Sequence, residues 1–236
     1  MHLSVIIPAY NEAQRIGKTL EAIREYLSRQ SYEYEVIVVS DGSTDATASI
    51  ISKFQNPNFK LIDNKENHGK AWVVKQGMLA ATGDLRLFMD ADNATTIDTL
   101  EKMTPYIGEY QIIIASIGIA GAKKVGHEPF YRRFLGKAGN LWIRFWATPG
   151  IHDTQRGFKL FTSQATERIF PKMQTFGWGF DVELLAIARK FGYNIKEVPI
   201  VWNNDPNSKV NIWAYPKVLL QTLVIGWNLM TGKYGK

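Results

Sequence analysis

A chain of 236 residues with 45% hydrophobic and 21% charged side chains is long enough and apolar enough for one large α/β domain, which excludes disorder as its general state. It contains no cysteine, so disulfides and thiolate metal sites are excluded, and any metal must be held by oxygen or imidazole. The net charge of +6 suits a phosphate-rich partner (nucleotide, anionic membrane or nucleic acid), and it equally suits plain solubility. Met1-His2-Leu3-Ser4 runs straight into a strand-like segment without the pattern of a signal peptide. No run of about 18 apolar residues occurs, so no transmembrane helix is expected.

The first half alternates short apolar runs with helical periodicity. Leu3–Ile7 reads as a buried strand, and Ile16, Leu20, Ile23 and Leu27 then recur at helical spacing. Glu35–Val39 is a second strand, and a helix after Ser43-Thr44 turns Ile50, Ile51 and Phe54 inward. Lys60–Ile62 is a short strand, 69–81 a helix, Leu85–Met89 a strand, 96–107 a helix and Ile112–Ala115 a strand. Strands without polar alternation need cover on both faces, which predicts a mostly parallel sheet flanked by helices. Ligands of such sheets bind beyond the carboxyl ends of the strands. In the second half, 117–128 reads as a loop, 129 to about 147 as a helix and 153–161 as extended. Residues 179–191 read as helical, 195–202 as a strand and about 212–231 as an apolar helix. No repeat or linker divides the chain.

Three strand ends carry the polar chemistry. After the first, Pro8 ends the pairing and leaves Tyr10 and Glu12 at the rim, placed either to stack on and bond a base or ribose or simply as the exposed polar end of a strand-to-helix turn. After the second, Ser43 or Thr44 can cap the next helix, Asp45 reads as a turn residue, and Asp41 suits the N–H of a base. After the fourth, Asp90 and Asp92 stand one residue apart and repel unless a cation lies between them; their hard oxygens suit Mg2+ or Mn2+. Asn67-His68-Gly69-Lys70 opens a helix as an anion site with an added positive charge, His68 being structural rather than catalytic.

Taken in order, Ser4–Glu12, Val39–Asp45, Asn67–Lys70 and Asp90-Ala91-Asp92 resemble the family-two glycosyltransferases. Asp153–Phe161 and Trp178–Leu185 resemble the dolichyl-phosphate glucosyltransferase and polyprenyl-phosphate branch. The resemblance implies a GT-A (Rossmann-like) α/β fold over residues 1–236. Residues 1–116 would be its nucleotide-binding half, 117–211 its acceptor and sugar half, and 212–231 a membrane-interface helix. It implies a uridine or guanosine diphosphate sugar as donor, with Pro8, Tyr10, Glu12 and Asp41 holding the nucleoside and Lys70 beside the phosphates. Asp90, Asp92 and Asn93 would hold Mg2+ or Mn2+. Asp153, Gln155, Trp178 and Asp181 would line the sugar, with Lys209 on a loop near the diphosphate. Two departures stand out: Ile117 follows Ala115-Ser116 where an arginine is common, leaving Lys123 or Lys124 as substitutes, and Arg156 replaces a cysteine. Eukaryotic relatives carry a spanning anchor that has no counterpart here, which points to a prokaryotic version.

The acceptor follows from two helices. Phe130, Phe134, Leu141 and Phe145 form one stripe of the 129–147 helix, and Arg133, Lys137 and Arg144 form another, which suits an interfacial helix and equally a buried helix with a solvated basic edge. The last helix is apolar nearly all round and too short to span, and Trp213, Tyr215, Lys217 and Trp227 suit a membrane interface. The reading is therefore an inverting transfer of a hexose, glucose from UDP-glucose, to a polyprenyl phosphate on the cytoplasmic face of a membrane, with Arg132 and Arg133 on the acceptor phosphate. A glycan or protein acceptor, or an idle membrane-associated scaffold of the same fold, are the alternatives. No motif supports nucleic-acid binding.

Overall fold

The computed structural model describes residues 1–125, 130–203 and 214–235, the side chains of 130–135, 203, 214 and 215 excepted. Its strands are β1 (His2–Ala9), β2 (Glu33–Asp41), β3 (Phe59–Asn64), β4 (Leu85–Met89), β5 (Ile112–Ser116), β6 (Lys123–Val125), β7 (Phe158–Thr162), β8 (Ile195–Pro199) and β9 (Val201–Asn203). Its helices are α1 (Ile16–Ser28), α2 (Thr47–Ser52), α3 (Lys70–Ala80), α4 (Leu100–Met103), α5 (Phe130–Trp146), α6 (Ser163–Ile169), α7 (Phe180–Lys190) and α8 (Ala214–Met230). Seven strands form one sheet in the order β3-β2-β1-β4-β7-β5-β8, in which β7 alone runs antiparallel to its neighbours. The α/β, mostly parallel architecture expected from the sequence is present.

Pleating explains the layers. On β1, Val5 and Ile7 face one side and pack with Ile16, Leu20, Ile23 and Leu27 of α1. Ile6 faces the other side and packs with Val73, Val74 and Met78 of α3 and with Leu184 and Leu185 of α7. Every apolar residue of the central strands thus meets a helix, which is why these strands carry no polar alternation. A third, smaller core joins Ile143 of α5 and Ala147 just beyond it to Val182 of α7 and to Val218 and Ile225 of α8.

Six local expectations differ from the structure. Pro8 does not end the pairing: β1 stays in register with β2 through Pro8–Val39 and Ala9–Ser40, and only the β4 ladder stops earlier, at Ile6–Phe88. A strand sends alternate N–H groups to its two neighbours, so one missing donor weakens one side. The 96–107 helix is broken into a 3-10 turn at Ile97–Thr99, the single turn α4 and a second 3-10 turn at Thr104–Tyr106, where Pro105 lacks the N–H a helix would need. The 117–128 loop contains β6, which pairs with β9, a partner 78 residues away (Lys123 with Val201) that no local pattern reveals. Of 153–161, only the part from Phe158 is strand. The 195–202 strand is two: beyond Pro199 the chain leaves the main sheet, and Ile200 bridges to Ser116 and Lys123 on its way into the small β6-β9 sheet. Nor do Ser43 and Thr44 cap α2, whose N-cap is Ala46; Asn11 instead donates its N–H to Ser43 Oγ (3.2 Å), and Thr44 N–H donates to Asn11 Oδ1 (2.9 Å).

The opposite edge of the sheet is tied by one buried carboxylate. Glu35 Oε1 accepts from Ser4 Oγ (2.6 Å), Thr82 N (2.7 Å) and Thr82 Oγ1 (2.8 Å), while Oε2 meets Lys60 Nζ at 2.8 Å. Burial works against the Glu35 charge, yet Lys60, Ser4 and Thr82 outweigh it and hold the pKa at about 2, below the ordinary 4.5. A depressed carboxylate stabilises the fold fully above its unfolded pKa and ceases to do so as the pH falls through its folded one. Glu35→Gln is therefore expected to lower the unfolding free energy at pH 7 by about 2–4 kcal/mol. In urea titrations the gap from wild type should narrow steadily as the pH is lowered from 4.5 towards 2.

Candidate active site

The parallel strands β1, β2, β4, β5 and β8 all end at one rim, and antiparallel β7 begins there. Tyr10–Glu12, Asp41, Asp90–Asn93, Ile117 and Asp153–Gly157 consequently share an edge, as the sequence reading requires. Asn11 (φ 52°) and Asn93 (φ 55°) are the described non-glycine residues in the left-handed region, one in the loop after β1 and one in the loop after β4. The loops are cross-tied: Glu12 N–H donates to Thr47 Oγ1 (2.7 Å), and Thr19 of α1 donates to Ala91 O (2.8 Å).

At the centre stand three carboxylates and two ammonium groups. Lys70, the first residue of α3, lies 2.5 Å from Asp90 Oδ1 as an ion pair. Lys159 is fully buried on β7, lies 2.5 Å from Asp181 Oδ1 at the start of α7, and also donates to Arg156 O. Burial opposes the Lys70 charge, but Asp90, Asp181 and Asp92 outweigh it and hold its pKa above the ordinary lysine value. Burial pushes the Asp181 carboxyl up against the pull of Lys159 and Lys70, and burial followed by the Asp90 charge pushes Asp92 up as well. Gly157 fits this cluster for a steric reason. Its carbonyl accepts the Asp90 N–H (2.9 Å), and a Cβ there would stand 2.1 Å from Asp90 Oδ2.

The donor set fits a hard divalent cation. Asn93 Oδ1 is buried without a hydrogen bond, and Asp90 Oδ1, though ion-paired, has no aligned donor either. Asp92 spends one oxygen on the Ala94 N–H (3.0 Å). Among the described residues no group of three or more His, Cys, Asp or Glu could close around an ion. The oxygens present are therefore a partial shell, of the kind completed by water and substrate phosphate.

On the nucleoside side, Tyr10 is exposed at the rim, Pro8 is buried within β1, and Glu12 is paired with Arg15. Asp41 is buried and accepts the N–H groups of His68 (2.8 Å) and Gly69 (2.9 Å). The amides entering α3 thus already hold an anion, and it is the protein's own. This corrects the expectation of an open anion site at Asn67–Lys70. His68 stacks on Trp72 at 4.2 Å, in a structural position.

On the sugar side, Asp153 is buried and accepts from Ile117 N and Arg156 Nε through Oδ2, both at 3.0 Å. Glu197 Oε1 accepts the Asp153 N–H (3.1 Å). Gln155 donates to Trp178 O (3.3 Å), joining the loop before β7 to the loop before α7, and the Trp178 ring is exposed. Lys209, with Trp213, lies outside the described residues, as do the side chains of Arg132, Arg133 and Tyr215. Sequence reasoning missed Lys159, Gly157 and Glu197 as working parts. A lysine alternating with apolar residues in Phe158-Lys159-Leu160-Phe161 reads as solvent-facing, and its partner Asp181 is 22 positions away.

Comparisons with known proteins bear on the family and the fold. The model of glycosyl transferase family 2 matches residues 4–170. A dolichyl-phosphate beta-glucosyltransferase of Trichomonas vaginalis is 37% identical over 95% of this chain and 71% of its own length. The Homo sapiens protein of that name is 31% identical over 98% of this chain and 77% of its own. Glucosyl-3-phosphoglycerate synthase of Mycobacterium tuberculosis, crystallised with Mn2+, UDP-glucose and phosphoglyceric acid, superposes with a TM-score of 0.68. It is 15% identical over 98% of this chain and 80% of that one, a likeness of fold.

The Lys159–Asp181 pair gives a direct test. Lys159→Met leaves a buried, unpaired carboxylate and is expected to cost about 3–5 kcal/mol of stability. Adding Asp181→Leu should restore much of it, so that urea unfolding of the two single variants and the double variant yields a coupling energy of at least about 1 kcal/mol.

Proposed function

The chain belongs to glycosyl transferase family 2, and on that premise we propose that it transfers glucose from UDP-glucose to a polyprenyl or dolichyl phosphate at a membrane surface, with inversion at the anomeric carbon. The observation that carries the reading is the similarity, over nearly the whole chain, to proteins named for that activity. The chemistry of the rim supports it: a cluster of carboxylates that a divalent cation would neutralise, with Lys70 fixed beside it, suits a nucleoside diphosphate.

The roles follow from position. In the 1–116 half, Tyr10 offers a ring to the base at the exposed rim. Pro8, Glu12 and Asp41 shape that rim, with Asp41 holding the turn that aims Lys70. A divalent cation held by Asp90, Asp92 and Asn93 would offset charge on the departing diphosphate, as Mn2+ accompanies UDP-glucose in the M. tuberculosis synthase. Lys70 supplies a fixed positive charge at the same place, and Lys209 is assigned to the diphosphate as well. In the 117–211 half, Asp153, Gln155, Trp178 and Asp181 are assigned to the sugar, with Lys159 fixing Asp181. Arg132 and Arg133 are assigned to the acceptor. A phosphate monoester is largely ionised near neutral pH, so the attacking oxygen needs no strong base and positioning supplies much of the rate.

Among the described residues no helix is long and apolar enough to cross a membrane. We propose peripheral attachment on a cytoplasmic face through α5 and α8. The two pack against each other, and Gly226 lies so close that a Cβ would stand 2.9 Å from Trp146 O. Both still expose large apolar groups: Leu141, Trp142, Phe145 and Trp146 on α5, and Leu220, Val224, Trp227 and Met230 on α8. A patch of bulky aliphatic and aromatic side chains of this kind matches the headgroup boundary.

Two experiments test these assignments. Asp92→Ala is expected to abolish Mn2+- or Mg2+-dependent glucolipid formation while circular dichroism stays unchanged; full activity in that variant would remove the cation assignment. Phe145→Ser combined with Trp227→Ser is expected to cut co-sedimentation with anionic vesicles by roughly tenfold or more, given about 1.5–3 kcal/mol for each buried ring. Undiminished binding would place the membrane face elsewhere.

A further inference from the structure

Beside the carboxylate cluster the rim holds a further cation, Arg156. Arg156 sits between Gln155 and Gly157, the residue that cradles Asp90. Its Nε donates to Asp153 Oδ2 (3.0 Å), the oxygen that also takes the N–H of Ile117 at the end of β5. Its guanidinium carbon lies 4.5 Å from the ring centroid of Trp202 on β9. The carboxylate and the indole together hold the guanidinium at the rim, and the side chain remains about a quarter exposed (25%). Among the described residues the terminal amino groups of Arg156 have no hydrogen-bond partner, so the fork that suits a phosphate is left to a ligand. The pairing of β6 with β9 sets Lys124 opposite Trp202, and its ammonium lies 6.0 Å from the same ring centroid. Two positive groups therefore converge on one indole, where Ile117 offers no charge.

We propose that Arg156 is a ligand of the acceptor's phosphate monoester, with Trp202 as the platform that orients it and Lys124 as a second charge. The inference rests on the lipid-phosphate reading above and adds a residue to it. The acceptor is the favoured anion because the diphosphate side of the rim already has Lys70, beside Asp90 at the end of β4. The Arg156 guanidinium reaches the other way, across β7 to the end of β5 and to β9. A guanidinium already held at the rim also costs little to order when a phosphate arrives.

Steady-state kinetics with UDP-glucose and a short-chain polyprenyl phosphate test the proposal. Arg156→Gln keeps a donor for Asp153 and removes the charged fork. It is expected to raise the acceptor KM by about tenfold while the UDP-glucose KM moves by less than about twofold, and Arg156→Lys should fall between the two. An unchanged acceptor KM overturns the proposal. So does an equal rise in both KM values, the mark of a structural staple or of a donor-phosphate contact. Should Arg156→Gln fail to fold, Arg156→Lys decides, a wild-type acceptor KM counting against the proposal. A wild-type enzyme that forms no lipid product sinks the transfer reading itself, whereas an active wild type with an indifferent Arg156 sinks only this inference.

Discussion

Everything at the rim depends on β1 lying between β2 and β4 with all three strands running the same way. Parallel pairing forces the three following loops to open on one edge, and the helices that return the chain cover the two faces. Reverse one of these strands and the residues after Ala9, Asp41 and Met89 would no longer meet. Antiparallel β7 extends the rim from the other direction. It begins where β4 ends, so Gly157 can lie against Asp90 and Lys159 can reach Asp181. The second half of the chain is thereby bolted to the first through its polar residues.

The charge pattern follows from this packing. Three buried or half-buried carboxylates cannot share a small volume without cations, and the fold supplies two from different elements, Lys70 at the head of α3 and Lys159 within β7. Two carboxyls still stand above their ordinary pKa because burial exceeds the compensation available. A site left under-neutralised, with a buried Asn93 oxygen unbonded, is organised to accept more positive charge. Such preorganisation of charge in a folded site costs stability and lowers the cost of binding a charged ligand. Asp41 shows the complementary economy: by occupying the amides at the head of α3 it fixes the direction in which Lys70 leaves the helix.

Most of the parallel half is legible in the sequence because its central strands are dominated by apolar residues and the helix after β1 keeps a clear apolar period. Leu3–Ile7, Glu35–Val39 and Leu85–Met89 need no partner to be recognised, and the residues after them fall at the rim once the strands are parallel. What escaped was non-local. The β6-β9 sheet exists only because two short exposed segments find each other. The buried role of Lys159 depends on Asp181, 22 positions away on another element. The open anion site at Gly69 was misjudged because the occupant, Asp41, lies on another strand. Arg156 was visible only as an oddity of composition, and its stacking partner Trp202 stood in a strand whose departure from the main sheet Pro199 alone does not announce.

The central claim is that the loops after β1 and β4 grip one cation-bridged diphosphate. Anomalous diffraction from crystals soaked with UDP and Mn2+ addresses it most directly. The expected result is one manganese peak within coordination distance of Asp90 and Asp92 and of both UDP phosphates, with the uracil on the Tyr10 side. UDP bound at the rim with manganese absent from Asp90 and Asp92, or a nucleotide seated away from the β1 and β4 loops, would contradict the account.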